Sequence, residues 1–222
     1  MSNRILFCIA ARQISINFFN CWNETLAALS SKGYSIQYVA QYNPVICYTR
    51  NLLFQGSNQR GEYQLPFNGQ LQSDDKVILL DDDIIWKPDD VIKLIESNED
   101  IIAGCYPTVN PEYYPIVINL DDEYFLKNGN YQFLTKKDLD EYNGKIIDID
   151  YTGMGFCCMT GKFLNSGDIK YPWFQIPLKT IGHVTDLEGE DKNFFVKAKE
   201  AGWKPKIHTG VRLGHEKTVI LR

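Results

Sequence analysis

Leu79-Leu80-Asp81-Asp82-Asp83-Ile84-Ile85-Trp86 sets three consecutive carboxylates between two apolar stretches. The approach, Lys76-Val77-Ile78-Leu79-Leu80, reads as a buried strand, and the exit, Lys87-Pro88-Asp89-Asp90, as the start of a helix. Carboxylates just past the carboxyl end of a buried strand lie where open α/β sheets bind their ligands. Three negative charges held that close repel one another, which makes a divalent cation their natural partner. In extended backbone Asp81 and Asp83 point one way and Asp82 the other. Asp81 and Asp83 are therefore expected to share a face, one on a ribose or water and the other on a metal. The plainer reading is a solvated acidic turn capping the Pro88 helix, but Asp89 and Asp90 already fill that role. The cluster points to metal-dependent chemistry on a phosphorylated substrate.

Upstream, residues 5–10 read as a buried first strand. Ser15 can cap the next helix, with Phe19, Trp22, Leu26 and Leu29 on one face and Gly33 at its end. Residues 34–40 read as a second strand, 44–58 as a helix opened by Pro44, and 61–73 as a polar loop. Downstream, the Pro88 helix turns Val91, Leu94 and Ile95 inward, and residues 101–104 form another strand. This βαβαβαβ order predicts an α/β fold with a central, mostly parallel mixed sheet flanked by helices. Past Tyr106 the texture changes to short tyrosine-rich segments spaced by Pro107, Pro111 and Pro115. Asn128-Gly129 reads as a hairpin turn, and residues 146–151 and 155–159 as strands. A helix lies within 186–202, with Phe194, Ala198 and Ala201 on one face, and a last short strand within 206–209. With no internal repeat, residues 1–222 read as one domain; an end soon after a charged segment would also suit a piece of a longer chain.

At 222 residues and 44% hydrophobic content the chain can build a full core, which excludes a disordered class. Its net charge of −5 argues against a nucleic-acid-coating surface and suits a site that holds a cation. Six cysteines occur without a CxxC pair, so a zinc site is not expected and buried free thiols in a reducing compartment are. The N-terminus runs straight into a strand and no apolar run is long enough to span a bilayer, which implies a soluble, cytoplasmic protein.

Four further stretches carry chemistry. Gly189-Glu190-Asp191-Lys192-Asn193 opens an amphipathic helix, where acids also serve simply to complement the dipole. Gly214-His215-Glu216-Lys217 offers an imidazole ligand after a terminal strand, with His183 and His208 in less specific surroundings. In Tyr151-Thr152-Gly153-Met154-Gly155-Phe156 the glycines either admit a ligand close to the backbone or mark a bulge. Tyr171-Pro172-Trp173-Phe174 reads equally as a platform for sugar rings or as core beneath a loop.

The order of these features, from residue 5 to about His215, resembles the GT-A fold glycosyltransferases, and in detail the small ones encoded by large DNA viruses of the chlorella virus type. The resemblance implies a Rossmann-like domain with a nucleotide-sugar-binding half, 1–106, and an acceptor-side half, 107–222. It implies that Asp81 and Asp83, completed by His215, bind Mn²⁺ or Mg²⁺, with Asp82 at the nucleotide. Ala10, Ala11 and Arg12 match the segment lining base and ribose, Arg50 a basic donor-site residue, and Gly153 the glycine-rich segment beside the donor sugar. Glu190-Asp191 matches the pair whose acid deprotonates the acceptor in inverting members; Trp173 and Phe174, on their own residue types, are the candidate acceptor or sugar platform. The implied donor is a UDP-sugar carrying a hexose or deoxyhexose, and the implied acceptor a glycan or glycoprotein, as in viral capsid glycan synthesis in the host cytoplasm. A nucleotidyltransferase is the nearest enzyme alternative, although Ala10-Ala11-Arg12-Gln13 lacks the glycines of a triphosphate loop. A non-catalytic nucleotide- or sugar-binding module is the third.

Overall fold

The computed structural model describes residues 3–56 and 61–217. Its first half alternates β1 (Arg4–Ala10), α1 (Ile16–Ser31), β2 (Ser35–Gln41), α2 (Ile46–Leu53), β3 (Lys76–Asp81), the short β4 (Ile84–Ile85), α3 (Pro88–Ile95) and β5 (Ile101–Cys105). The second half has β6 (Tyr113–Tyr114), β7 (Ile116–Val117), α4 (Asp122–Asn128), β8 (Leu134–Thr135), α5 (Lys136–Tyr142), β9 (Ile146–Asp148), β10 (Tyr151–Thr152) and β11 (Phe156–Thr160). It closes with α6 (Gly161–Leu164), the hairpin β12 (Leu178–Ile181) and β13 (Val184–Leu187), α7 (Glu190–Glu200), β14 (Lys206–Arg212) and β15 (Gly214–His215).

Seven strands form the central sheet in the order β2-β1-β3-β11-β5-β14-β9. The β2, β1 and β3 strands run parallel, as do β5 and β14, while β11 enters antiparallel between β3 and β5. The expected mostly parallel mixed sheet is therefore present, with an antiparallel strand at its centre. From β1 the chain winds first to β2 and then back to β3 on the other side, which opens a crevice beyond the carboxyl ends of β1 and β3.

Strand alternation splits the core into two layers. Ile5, Phe7 and Ile9 of β1 and Ile78 and Leu80 of β3 pack with Phe18 and Leu29 of α1 and Val91 and Leu94 of α3. Cys8, Val77 and Leu79 face the opposite layer, with Leu53, Phe54, Phe194 and Ala198. All six cysteines are free, and all but Cys47 are buried.

Several local readings shift. Ser15 caps α1 through its side chain, accepting from the Phe18 amide at 3.1 Å, but the buried face is Phe18, Cys21, Thr25 and Leu29. Phe19 is 48% exposed, because the stripe one residue earlier keeps the i, i+3, i+4 spacing and places Phe18 edge-on against Trp86. Instead of at Pro44, α2 begins at Ile46, and it stops at Leu53; Asn58 lies outside the described residues. The loop expected over 61–73 carries a 3₁₀ turn, Pro66–Gly69. Asn128-Gly129 ends a helix rather than turning a hairpin: Gly129 takes φ 75° at the C-terminus of α4, a left-handed position that glycine fills without a Cβ clash. Ala201 is exposed past the end of α7.

Trp173 and Phe174 are not a platform. Each is 1% exposed, with Phe174 stacked on Phe194 at 4.8 Å and Trp173 tilted against Phe54. Asn51 of α2 holds the Phe174 backbone from both sides, donating to its carbonyl at 2.8 Å and accepting from its amide at 3.3 Å. The apolar face of α7 needs cover, and this loop supplies it.

Candidate active site at the carboxyl edge of the sheet

The three aspartates leave the sheet in three directions. The Asp81 side chain continues the Leu79 side of β3 and meets α2, where the Arg50 guanidinium donates to its Oδ2 at 3.3 Å. Regular alternation stops there, because residues 82–83 form a turn between β3 and β4. Asp82 folds back over β1, and its Oδ2 accepts from the Arg12 amide at 3.0 Å. Asp83 faces the opposite end of the chain. The ribbon of β15 with β4 pairs His215 with Ile84, and brings His215 Nε2 within 3.1 Å of Asp83 Oδ2. The Lys217 ammonium donates to the same oxygen at 2.6 Å, and the Glu216 amide to the Asp83 carbonyl at 2.7 Å. Glu216 in turn accepts from the hydroxyl of Ser15, the α1 cap, at 2.6 Å.

Arg50 is the hinge of the site. It is 4% exposed and also donates to Glu190 Oε1 at 2.5 Å, so one buried guanidinium ties the end of β3 to the first turn of α7. Burial works against its charge, but Asp81, Glu190 and Asp191 outweigh that and hold it protonated. Its Nε has no hydrogen-bond partner among the described residues. Burial raises the Asp81 carboxyl above the ordinary range, with Arg50 pulling it back and Asp83 pushing it up. Burial likewise raises Asp191 to about 6 against the pull of Arg50, and its Oδ1 accepts from the Lys192 amide at 2.7 Å. Partial burial of Asp83 is outweighed by His215 and Lys217, which hold it down to about 2.

Tyr106, immediately after β5, fills the space between these groups. Its hydroxyl accepts from the Gly155 amide at 3.1 Å, and its ring meets His215 edge-on at 5.2 Å. A Cβ at Gly153 would fall 2.0 Å from that hydroxyl, and one at Gly155 would fall 3.0 Å from Asp81 Oδ2. Both glycines are thus explained by close approach inside the site rather than by turn geometry.

Asp81, Asp83 and His215 do not gather as a trio. Arg50 holds Asp81 away, and among the described residues no three His, Cys, Asp or Glu side chains form a metal-holding group. The smaller pair nevertheless fits a cation. His215 Nδ1 lies 2.7 Å from the Pro107 carbonyl, which can only accept, so Nδ1 carries the proton. In the neutral ring the Nε2 lone pair then faces the Asp83 carboxylate, so the contact is completed either by a second ring proton, which the Asp83 hydrogen bond favours by raising His215 above its ordinary range, or by a cation between the two. A carboxylate and an imidazole, with remaining positions left to phosphate oxygens and water, form a reasonable donor set for a divalent ion. Lys217 is the resident competitor for it.

Next to this edge lies a cavity of about 230 Å³, bounded by Ala10, Arg12, Tyr42, Asn43, Thr49 and the three aspartates. The Arg12 guanidinium sits 5.9 Å from the centre of the Tyr42 ring, and Ala11 donates to the Gln41 carbonyl at 3.1 Å. Tyr42, Asn43, Tyr106 and Lys217 went unread in the sequence. The signal for Tyr42 and Tyr106 is their position one residue past the carboxyl ends of β2 and β5, and that for Lys217 its place two residues after His215.

No protein-family model matches the chain, and no curated protein matches it in sequence. Solved structures do match in shape. GalNAc-T7, crystallised with UDP, GalNAc and Mn²⁺, superposes with a TM-score of 0.58 at 9% identity, over 97% of this chain and 44% of that one. A197 from STIV matches with a TM-score of 0.54 at 14% identity, over 100% of this chain and 97% of that one. The chain has the α/β fold of the GT-A class, a mixed seven-stranded sheet flanked by helices. None of its described helices is long and apolar enough to cross a membrane.

Proposed function

We propose that the chain is a metal-dependent glycosyltransferase that moves a hexose or deoxyhexose from a UDP-sugar to a glycan, in the manner of the small enzymes that decorate viral capsid glycans. The observation that carries this reading is the buried Arg50 bridge from Asp81 to Glu190, with an unsatisfied Nε, at the carboxyl edge of the sheet. A guanidinium so placed is suited to neutralise a departing diphosphate. The cavity beside Tyr42 takes the base and ribose, with the Asp82-anchored backbone at Arg12 forming its wall. Asp83 and His215 would hold the cation, which as a Lewis acid would stabilise the leaving group.

The two acids at the start of α7 divide the remaining work. Glu190 is committed to Arg50 and positions it. Asp191, with its carboxyl near 6, is deprotonated at neutral pH yet basic enough to accept a proton from an acceptor hydroxyl. In an inverting reaction that oxygen forms the new bond to the anomeric carbon as the bond to the diphosphate breaks and its electron pair leaves on the phosphate. In a retaining reaction the leaving phosphate takes the proton, and Asp191 is dispensable as a base. The deciding experiment is release of UDP from a panel of UDP-sugars with Mn²⁺, comparing the wild type with Asp83→Ala and Asp191→Asn. Turnover lost in Asp83→Ala supports the reading; no metal-dependent binding of UDP, GDP or CMP by calorimetry overturns it.

A further inference from the structure

A second cavity, of about 200 Å³, is lined by Glu188, Gly189 and Lys192, which flank the Glu190-Asp191 pair in the chain, and shares no lining residue with the Tyr42 pocket. Its walls come from α4, the segment before β8, β10 and the β12–β13 hairpin, and its floor is the first turn of α7. We propose that this cavity binds one saccharide unit of the acceptor, with Phe133, Tyr151 and Leu187 against the ring and Lys192 and Glu188 beneath its hydroxyls. The word acceptor rests on the transferase reading; the saccharide site does not.

The chemistry of the lining selects a sugar. One side is aromatic: Phe125 stacks on Tyr131 at 4.9 Å, and Tyr151 meets Tyr131 edge-on at 6.2 Å. The floor is a buried polar network. Lys192, 8% exposed, donates to the Tyr131 hydroxyl at 3.1 Å and pairs with Glu188 at 3.0 Å, and Glu188 also pairs with Lys179. Behind this lining, Asn193, 9% exposed, donates to Glu188 at 3.0 Å and fixes it. Apolar walls with a few fixed polar groups suit a molecule with a CH face and a hydroxyl edge. The two lysines and the two acids, Asp186 and Glu188, balance in charge, which favours a neutral sugar over an anionic one. The volume falls below the roughly 300–1,000 Å³ of pockets for drug-sized ligands, so one ring enters and the rest of the glycan stays outside.

Position ties the cavity to the chemistry. Lys192 on the floor donates its amide to Asp191, and Tyr151 on the wall leads within two residues to Gly153 beside Tyr106. It is the aromatic sugar site that the Trp173-Phe174 stretch had suggested, built from other residues.

The test is saturation-transfer NMR with a panel of neutral methyl glycosides, on wild type, Phe133→Ala and Leu187→Ala, without donor or metal. Leu187 is 62% exposed, so its truncation leaves the core intact should Phe133→Ala fail to fold. The expected result is saturation of ring protons of at least one glycoside, with affinity about tenfold weaker in Phe133→Ala and several-fold weaker in Leu187→Ala. No bound glycoside in the wild type, or equal affinity in Leu187→Ala and the wild type, overturns the proposal. UDP-sugar turnover alongside that negative result leaves the transferase standing without this pocket. Glycoside binding weakened by the substitutions, in a protein that binds no nucleotide, leaves the saccharide site standing without the transferase.

Discussion

Replacing Arg50 with methionine keeps an unbranched, flexible side chain, shorter than arginine, and removes the only cation bonded to Asp81 and Glu190 among the described residues. The consequence follows from burial. Arg50 is 4% exposed, and the Glu190 side chain 12%. Breaking a buried ion pair by deleting one partner costs about 3–5 kcal/mol, because the charge left behind is neither hydrated nor paired. For a chain of this length about 2–4 °C of melting temperature accompanies each kcal/mol, so the variant is expected to melt roughly 6–20 °C lower at pH 8. The cost must also depend on pH. Asp191 stands near 6 and Asp81 above its ordinary value even with Arg50 pulling both down. Removing that pull raises both further. The folded variant then holds more protons than its unfolded chain from about pH 4 upward, through and beyond 6, so its stability falls as pH rises through that window. The wild type falls less. The gap between them is therefore widest above neutrality and narrows toward pH 5, where protonated carboxyls need no counter-charge. Urea unfolding of both proteins at pH 5, 6.5 and 8 measures it. A variant as stable as wild type at pH 8, or a gap that does not change with pH, would refute the electrostatic account of this bridge.

Gly153→Ala places a methyl where the Tyr106 hydroxyl now sits, and is expected to cost about 1–3 kcal/mol by thermal melt, with partial rescue by Tyr106→Phe. A ¹³C NMR titration should place the Asp191 carboxyl near 6 and, since the Glu190 charge pushes it up, show it lower in Glu190→Gln; no movement removes Glu190 from its surroundings. Mn²⁺ affinity, followed by electron paramagnetic resonance with UDP present, should fall at least about tenfold in Asp83→Ala and rise in Lys217→Ala, because the ammonium competes for the Asp83 oxygen. Trp173→Ala should cost about 3–5 kcal/mol as a core deletion and leave glycoside binding in the α7 cavity to the folded fraction unchanged.

Much of the architecture was legible in the chain because it depends on local pattern. Buried strands announce themselves as apolar runs, and β1, β3 and β5 fell within a residue of expectation. Ser15 and Pro88 begin helices for reasons confined to one turn of backbone. Errors arose where a local signal had two uses. Asn-Gly serves a hairpin and a helix end equally, and Tyr-Pro-Trp-Phe serves a surface and a core equally. Only the elements packed against each one decide between them.

The aspartate run shows the same division. That Asp81, Asp82 and Asp83 stand at the carboxyl end of a buried strand follows from residues 76–83 alone, since apolar run and charge change occur within one segment. Their separate partners lie 31, 70 and 132 positions away in the chain, at Arg50, Arg12 and His215. No periodicity reaches that far. The turn after Asp81 breaks the alternation that would have set Asp81 and Asp83 side by side, and the β4–β15 ribbon supplies His215 from the other end of the molecule. Sequence determined where the charge gathers, because strand formation is local. Tertiary structure alone decided which carboxylate meets a guanidinium, which a backbone amide and which an imidazole, because those choices are made by the packing of segments that are distant in the chain.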